Sequence, residues 1–312
     1  MTQIGVREYR EGDKDAVLTV LRLALGEGSG FERTHELWDW KHTHNPFGRS
    51  LVWVATVEGQ LAGVRALMRW RLVTPSGEAI ECVRPVDTAT HPGFLRRGIF
   101  QNLTLAAIEH AKDAGIQLIF NTPNSKSKPG YIKMGWQEVG AVDVLVRPSL
   151  RWLVDRPDED RRPYLDSVVA SSLENVKDRP ALGLRTPRGV DYLEWRYQRH
   201  PSAVYSWLST QGTHVFARSN KRRGRSELVL SDVLGANPAA GYRAAGRAHR
   251  AQYMITHASK GTPERRAALR SGLAALPGLK ALSLVAKPLV ELPVDVSELR
   301  SWDISLGDLE LL

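Results

Sequence analysis

Three features of the 312-residue sequence predict an α/β fold in two similar domains. Strand-like runs alternate with helical patterns through the first half. A stretch rich in proline and charge, VDRPDEDRRPYLD, interrupts that alternation near mid-chain. Finally, HELWDWKHTHNPFGRSLVWVAT (35–56) is echoed by VDYLEWRYQRHPSAVYSWLST (190–210). Trp40 matches Trp195, each tryptophan stands six residues before a proline (Pro46 and Pro201), and each segment runs into a strand with a further tryptophan, Trp53 or Trp207. The expected division is a first domain over 1–152, a linker and connecting helix over 153–182, and a more divergent copy over 183–312.

The elements follow in order. IGVREY reads as a strand, and DKDAVLTVLRLAL (13–25) as a helix with Asp13 available as its cap. A second helix, THELWDWKHTHN (34–45), starts at a capping threonine and stops before Pro46. SLVWVATVEG and QLAGVRALMRWRLVTPSG read as antiparallel strands joined at turns. IECVRPVDTAT (80–90) is the next strand, then a helix over 97–114 ends at Gly115. IQLIFNT is a strand, followed by a loop, a short helix around Tyr131–Met134 and the run WQEVGAVDVLVRP. The second half repeats the order strand, helix, strand, short helix, strand.

Composition narrows the function. With 42 % hydrophobic and 25 % charged residues the chain reads as globular, and no apolar run approaches the roughly 20 residues of a membrane helix. The opening residues lack a secretory pattern, so a cytoplasmic location is expected. The single cysteine, Cys82, excludes an internal disulfide and any multi-cysteine metal site, and its strand context makes it a packed residue. The formal charge of +9 suits an anionic ligand without choosing one. Its one compact basic run, SNKRRGRS (219–226), lacks the interleaved aromatics of a nucleic-acid module, so no specific nucleic acid is expected.

The turn HPGFLRRGIF (91–100) joins a strand to a helix. Unpaired N–H groups at the helix start, Gly98 and the charges of Arg96 and Arg97 fit a phosphate cradle, or equally a basic surface corner. It is neither a Walker A loop nor a dinucleotide fingerprint. Its companion is NTPNSKSKPGYIKMGWQEVG (121–140), which carries Asn124, Tyr131, Lys133, Gly135 and Trp136.

Together these segments resemble the GNAT family of acyl-CoA-dependent N-acyltransferases, over residues 3–145 and more faintly beyond. The resemblance implies two GNAT-like domains, each a mostly antiparallel mixed central sheet flanked by helices, the second degenerate. It implies acetyl-CoA or another acyl-CoA as co-substrate, no metal, and a small-molecule or peptide amine as acceptor. It implies no membrane partner and leaves a homodimer open. The family's turn [RQ]xxGx[GA] falls on Leu95, Arg96, Arg97, Gly98, Ile99 and Phe100, with Leu95 and Phe100 departing from the pattern. Thr88, Thr90 and Asn124 join these as cofactor-binding positions. Tyr131 is the expected acid for the leaving thiolate. Glu81 and Asp87 are candidate bases, with His91, Glu36 and a water chain as alternatives. Trp38 and His42 stand where the family builds part of the acceptor pocket, or they serve core packing. A non-catalytic acyl-CoA-binding or regulatory protein on the same fold is the alternative.

Overall fold

The computed structural model describes residues 3–26, 32–149, 166–167, 173–276 and 281–309. The expected linker over 153–182 lies largely outside the described residues.

The first sheet is built from β1 (Ile4–Glu8), β2 (Leu51–Val57), β3 (Gln60–Val73), β4 (Ala79–Thr90), β5 (Leu118–Asn121) and β6 (Gln137–Val142). The second is built from β7 (Leu145–Pro148), β8 (Asp166–Ser167), β9 (Ser206–Thr210), β10 (Thr213–Arg222), β11 (Arg225–Gly235), β12 (Tyr253–Thr256) and β13 (Ala274–Ala275). A late strand, β14 (Leu282–Pro288), returns to the first sheet. From one edge the orders are β1-β2-β3-β4-β5-β14-β6 and β8-β9-β10-β11-β12-β7-β13. The two sheets are therefore strand-for-strand alike, and each takes its sixth strand from the other half of the sequence. Both are mixed and mostly antiparallel, and β4–β5 and β11–β12 are equivalent parallel pairs.

The helices repeat in the same places. In the first half α1 (Lys14–Leu25) and α2 (His35–His42) precede β2, α3 (Ile99–Asp113) joins β4 to β5, and α4 (Lys128–Lys133) leads to β6. In the second, α5 (Val190–Leu193), continued as a π-helical turn to Gln198, precedes β9; α6 (Pro238–Ala248) joins β11 to β12, and α7 (Pro263–Arg270) leads to β13. The tryptophan echo thus marks equivalent helix–strand junctions.

Contacts divide the chain into two compact units, Met1–Leu72 with Ala79–Glu138 and Val285–Pro293, and Val73–Glu78 with Val139–Leu284 and Val294–Leu312. In the first, Val17, Leu21 and Trp38 pack on Val54, Val64 and Ala89. From α3, Ile99 and Leu103 meet Ala55, Val57 and Ala62, while Ala107, Ile108 and Ala111 meet Leu67, Val83, Ile119 and Val285. Gly63 permits this approach: a Cβ there would lie 2.7 Å from Ile99 Cγ2 and 3.2 Å from the Ala89 carbonyl oxygen. In the second unit Leu145, Val215, Leu228, Leu230, Tyr242 and Met254 form the core.

Thr34 caps α2, its hydroxyl accepting from the Leu37 N–H at 3.2 Å. Asp13 does not cap α1. Its carboxylate instead accepts from Arg7 and the Arg10 N–H, each at 2.7 Å, because a cation and a tight preceding turn outcompete a helix N–H. No helix among the described residues is long and apolar enough to cross a membrane.

Candidate functional site

β4 pairs with β5 at Cys82↔Leu118 and Val83↔Ile119, then runs on to Thr90 while β5 ends at Asn121. The strands part because β4 breaks its alternation. Val83 packs with Tyr131 and Ile119, and Arg84 lies on the other face between the rings of Trp70 and Phe120. Regular alternation would put residue 87 with Val83, yet Asp87 meets α2 and Thr88 meets Tyr131's neighbour Arg65. Asp87 has φ of 41°, a left-handed conformation that marks the irregularity.

Tyr131 stands on α4 and is 4 % exposed. Its ring meets Phe100 at 5.7 Å and Trp136 at 5.1 Å, both edge-on. Asn124 shapes the loop leading to α4: its Oδ1 accepts from the N–H groups of Lys126 (2.9 Å) and Ser127 (3.0 Å). Beyond α4, Gly135 takes φ of 87°, and Lys287 of β14 donates to the Met134 carbonyl at 3.2 Å. The phenol oxygen accepts a hydrogen bond from Arg65 Nη1 at 2.8 Å, and the same nitrogen reaches Thr88 Oγ1 at 3.3 Å.

Asp87 is a hub. Its carboxylate accepts from Arg33 Nη1 (2.9 Å), Lys41 Nζ (2.8 Å) and His42 Nε2 (3.1 Å). Burial by itself would raise this acid, but the charge of Lys41 and the hydrogen bonds from His42 and Lys41 outweigh it and hold the group well below the usual carboxylate range. Burial lowers His42, with Asp87 pulling the other way. A neutral ring beside an anionic carboxylate carries its proton on Nε2, which leaves Nδ1 to accept from Ser50 Oγ at 2.9 Å. The second unit repeats the arrangement: Tyr197, which matches His42 in the echo, donates to Asp232 of β11. The latch accompanies the fold in both copies, including the one without a YIKMGW segment.

The turn before α3 is exposed at Leu95, Arg96, Arg97 and Gly98, while Ile99 is buried and Phe100 half-buried. Arg96 (φ 62°) and Gly98 (φ 75°) are both left-handed. Gly98 is the cap residue of α3, with no side-chain cap, and a Cβ on it would meet only open space. The first N–H groups of this 15-residue helix therefore face outward past a bare backbone. By contrast, α6 has Pro238 in its first turn and is capped by Asn237, whose Oδ1 accepts from the Ala240 N–H at 3.3 Å.

Glu81 bonds Arg71 Nε at 2.6 Å at the paired end of β4, seven residues and roughly 20 Å of strand before Thr88. Trp38 is 4 % exposed and packs on Tyr9 and, at 4.1 Å between centroids, on His42. Both belong to the core around the Asp87 latch. Thr90 is half-buried at the end of β4, and His91 Nδ1 accepts from the Gly93 N–H at 3.1 Å. Among the described residues no group of three His, Cys, Asp or Glu side chains could hold a metal ion.

Sequence reasoning missed Arg65, Lys41, Arg33 and Ser50. Arg65 left one trace: in LAGVRALM it is the only polar residue among apolar neighbours of both parities, the pattern of a strand covered on both faces.

The site is thus a mixed sheet whose fourth and fifth strands part beside an uncapped helix N-terminus, with a buried tyrosine at the fork. The family model for an acetyltransferase (GNAT) domain matches residues 5–139. That span is a GNAT domain. Solved structures agree in fold. A GCN5-related N-acetyltransferase from Kribbella flavida aligns over 92 % of this chain and 71 % of its own, with 14 % identity and a TM-score of 0.60. One from Anabaena variabilis aligns over 92 % and 73 %, with 11 % identity and a TM-score of 0.61. Saccharomyces cerevisiae N-myristoyltransferase, solved with bound myristoyl-CoA, aligns over 92 % and 79 %, with 8 % identity and a TM-score of 0.57. No curated protein sequence matches the chain.

Proposed function

We propose that the first unit transfers an acetyl or other acyl group from acyl-CoA to a primary amine of a small molecule or peptide. The observation that carries this is the placing of Tyr131's hydroxyl at the fork of β4 and β5, beside the open N-terminus of α3. The residues fit coenzyme A. The outward N–H groups of Gly98, Ile99 and Phe100, with Arg96 and Arg97, would hold its diphosphate, and the bare Gly98 lets an anion approach the backbone. Leu95, at 58 % exposed, offers that anion no charge. Thr88, Thr90 and the β4 backbone past Val83 border the channel for the thioester arm. Asn124 acts there by shaping the loop that positions α4.

The thioester supplies an activated carbonyl whose leaving group must take a proton. Tyr131 supplies it from Oη, since Arg65 already occupies the oxygen as a donor and the phenol hydrogen must point away from it. Asp87, held as an anion by Arg33, Lys41 and His42, is assigned to holding α2 on β4 rather than to proton abstraction. Glu81 is too far along the strand for that task. We assign the amine's proton to water. The second unit, whose α6 N-terminus is already capped, is assigned a supporting role without a cofactor site.

Calorimetric titration with acetyl-CoA tests the reading, using the wild type and an Arg96→Ala, Arg97→Ala double variant. Micromolar binding, weakened about tenfold or more by the double change, supports the assignment. No binding of acetyl-CoA, longer acyl-CoAs or free coenzyme A by the wild type defeats it.

A further inference from the structure

Arg65 is fully buried on β3, yet its charge has no carboxylate partner among the described residues. Nη1 donates to Tyr131 Oη at 2.8 Å and to Thr88 Oγ1 at 3.3 Å, whereas Nε and Nη2 are buried without an acceptor. The guanidinium carbon lies 5.1 Å from the centre of the Tyr131 ring and 5.5 Å from that of Phe100. Arg196, also fully buried, likewise donates to a tyrosine hydroxyl, that of Tyr205 at 2.6 Å, but two further buried arginines face carboxylates. Arg188 has Asp232 and Asp308, and Arg185 has Asp178 and Asp303. An uncompensated buried cation costs stability, so its retention beside a tyrosine hydroxyl points to chemistry.

Resting on the acyl-transfer reading above, we propose that Arg65 is the positioning residue of that reaction: it aims the proton of Tyr131 and stabilises the negative charge left on Oη. The C–S bond breaks with its electron pair on sulfur, which takes the proton from Tyr131. The phenol oxygen keeps the O–H pair and becomes an anion 2.8 Å from Arg65 Nη1. The amine nitrogen forms the C–N bond and releases a proton to water, and the phenolate regains a proton from solvent once the thiol has left. Arg65 thus lacks a counter-charge in the resting protein and acquires one as the reaction proceeds, which is stabilisation confined to the transition state.

Arg65→Met, Tyr131→Phe and the double variant test the assignment, each read by acyl-transfer kinetics and by thermal unfolding without ligand. Arg65→Met should lower kcat about a hundredfold with little change in KM for acyl-CoA, by analogy with losing one oxyanion donor. Added to Tyr131→Phe it should change kcat less than about threefold, because two groups acting as one are not additive. Without ligand it should melt at or above the wild-type temperature, since a buried unpaired charge has been removed. Arg65→Lys, which keeps the charge but not the planar fork, should retain part of the rate. Equal losses in both backgrounds, a lowered melting temperature, or failure of Arg65→Met to fold would each overturn the assignment. A wild type that binds acyl-CoA but transfers nothing defeats the acyltransferase reading first and this one with it. A transferring wild type with additive variants defeats only the role of Arg65.

Discussion

Asp87→Asn removes the charge on which Arg33, Lys41 and His42 converge while nearly keeping the volume. The Lys41 side chain is 6 % exposed and that of Arg33 23 %, so Arg33 can turn to water and Lys41 cannot. At 2.8 Å and an effective dielectric near 20, the Lys41–Asp87 attraction is about 6 kcal/mol before desolvation. Stranding one partner of such a buried pair costs about 3–5 kcal/mol, a large share of a domain's roughly 5–15 kcal/mol. At about 3 °C per kcal/mol, the melting point should fall by around 10–15 °C. Urea unfolding followed by tryptophan fluorescence measures this, because Trp38 lies against His42. The sign with pH is also fixed. A depressed carboxylate contributes stability above its ordinary value of 3.8 and loses it as pH falls below that value. The gap between wild type and variant should therefore hold from pH 5 to 8 and close only in stronger acid. A variant within 1 kcal/mol of wild type at pH 7 would refute the latch and return Asp87 to the list of bases.

Gly63→Ala should cost about 1–3 kcal/mol and weaken acetyl-CoA binding, since the new methyl pushes Ile99 and the start of α3 off the sheet; unchanged calorimetry and melting would contradict this. His42 is lowered by burial, so unfolding takes up a proton as pH drops below its ordinary 6.5. The stability advantage of wild type over His42→Gln should accordingly shrink between pH 6.5 and 5, by up to about 1.4 kcal/mol per pH unit in urea melts, and a constant gap would contradict it. Glu81→Gln should leave the acyl-transfer rate within about twofold of wild type, whereas a loss of a hundredfold, the scale of a missing general base, would reinstate Glu81.

Much of the fold was legible because its signals are local. The apolar periodicity of 14–25 and 99–113, the Thr34 cap and the Trp40/Trp195 echo each depend on neighbours in sequence. The exchange of β7 and β14 was not legible. LVRP and LSLVAKP are short apolar runs that suit either sheet, and only the assembled cores decide between them. The fork between β4 and β5 depends on one left-handed residue, Asp87, a residue type common in ordinary turns. Against the apolar run around it, Arg65 shares its parity with Arg69 and Arg71, which taken alone suggests a solvent face, and that suggestion holds for Arg71 with Glu81. It fails at Arg65, where Phe100 and Tyr131 cover the strand. Trp38 and His42 point inward, because the end of α2 is drawn onto Asp87 through Lys41 and His42.

The most direct measurement is a comparison of wild type with Tyr131→Phe, taking acetyl-CoA affinity by calorimetry and single-turnover acyl transfer to an amine on the same preparations. The account predicts affinity unchanged within about threefold and a transfer rate at least about a hundredfold lower, the low end of what a general acid contributes. An unchanged rate would contradict it.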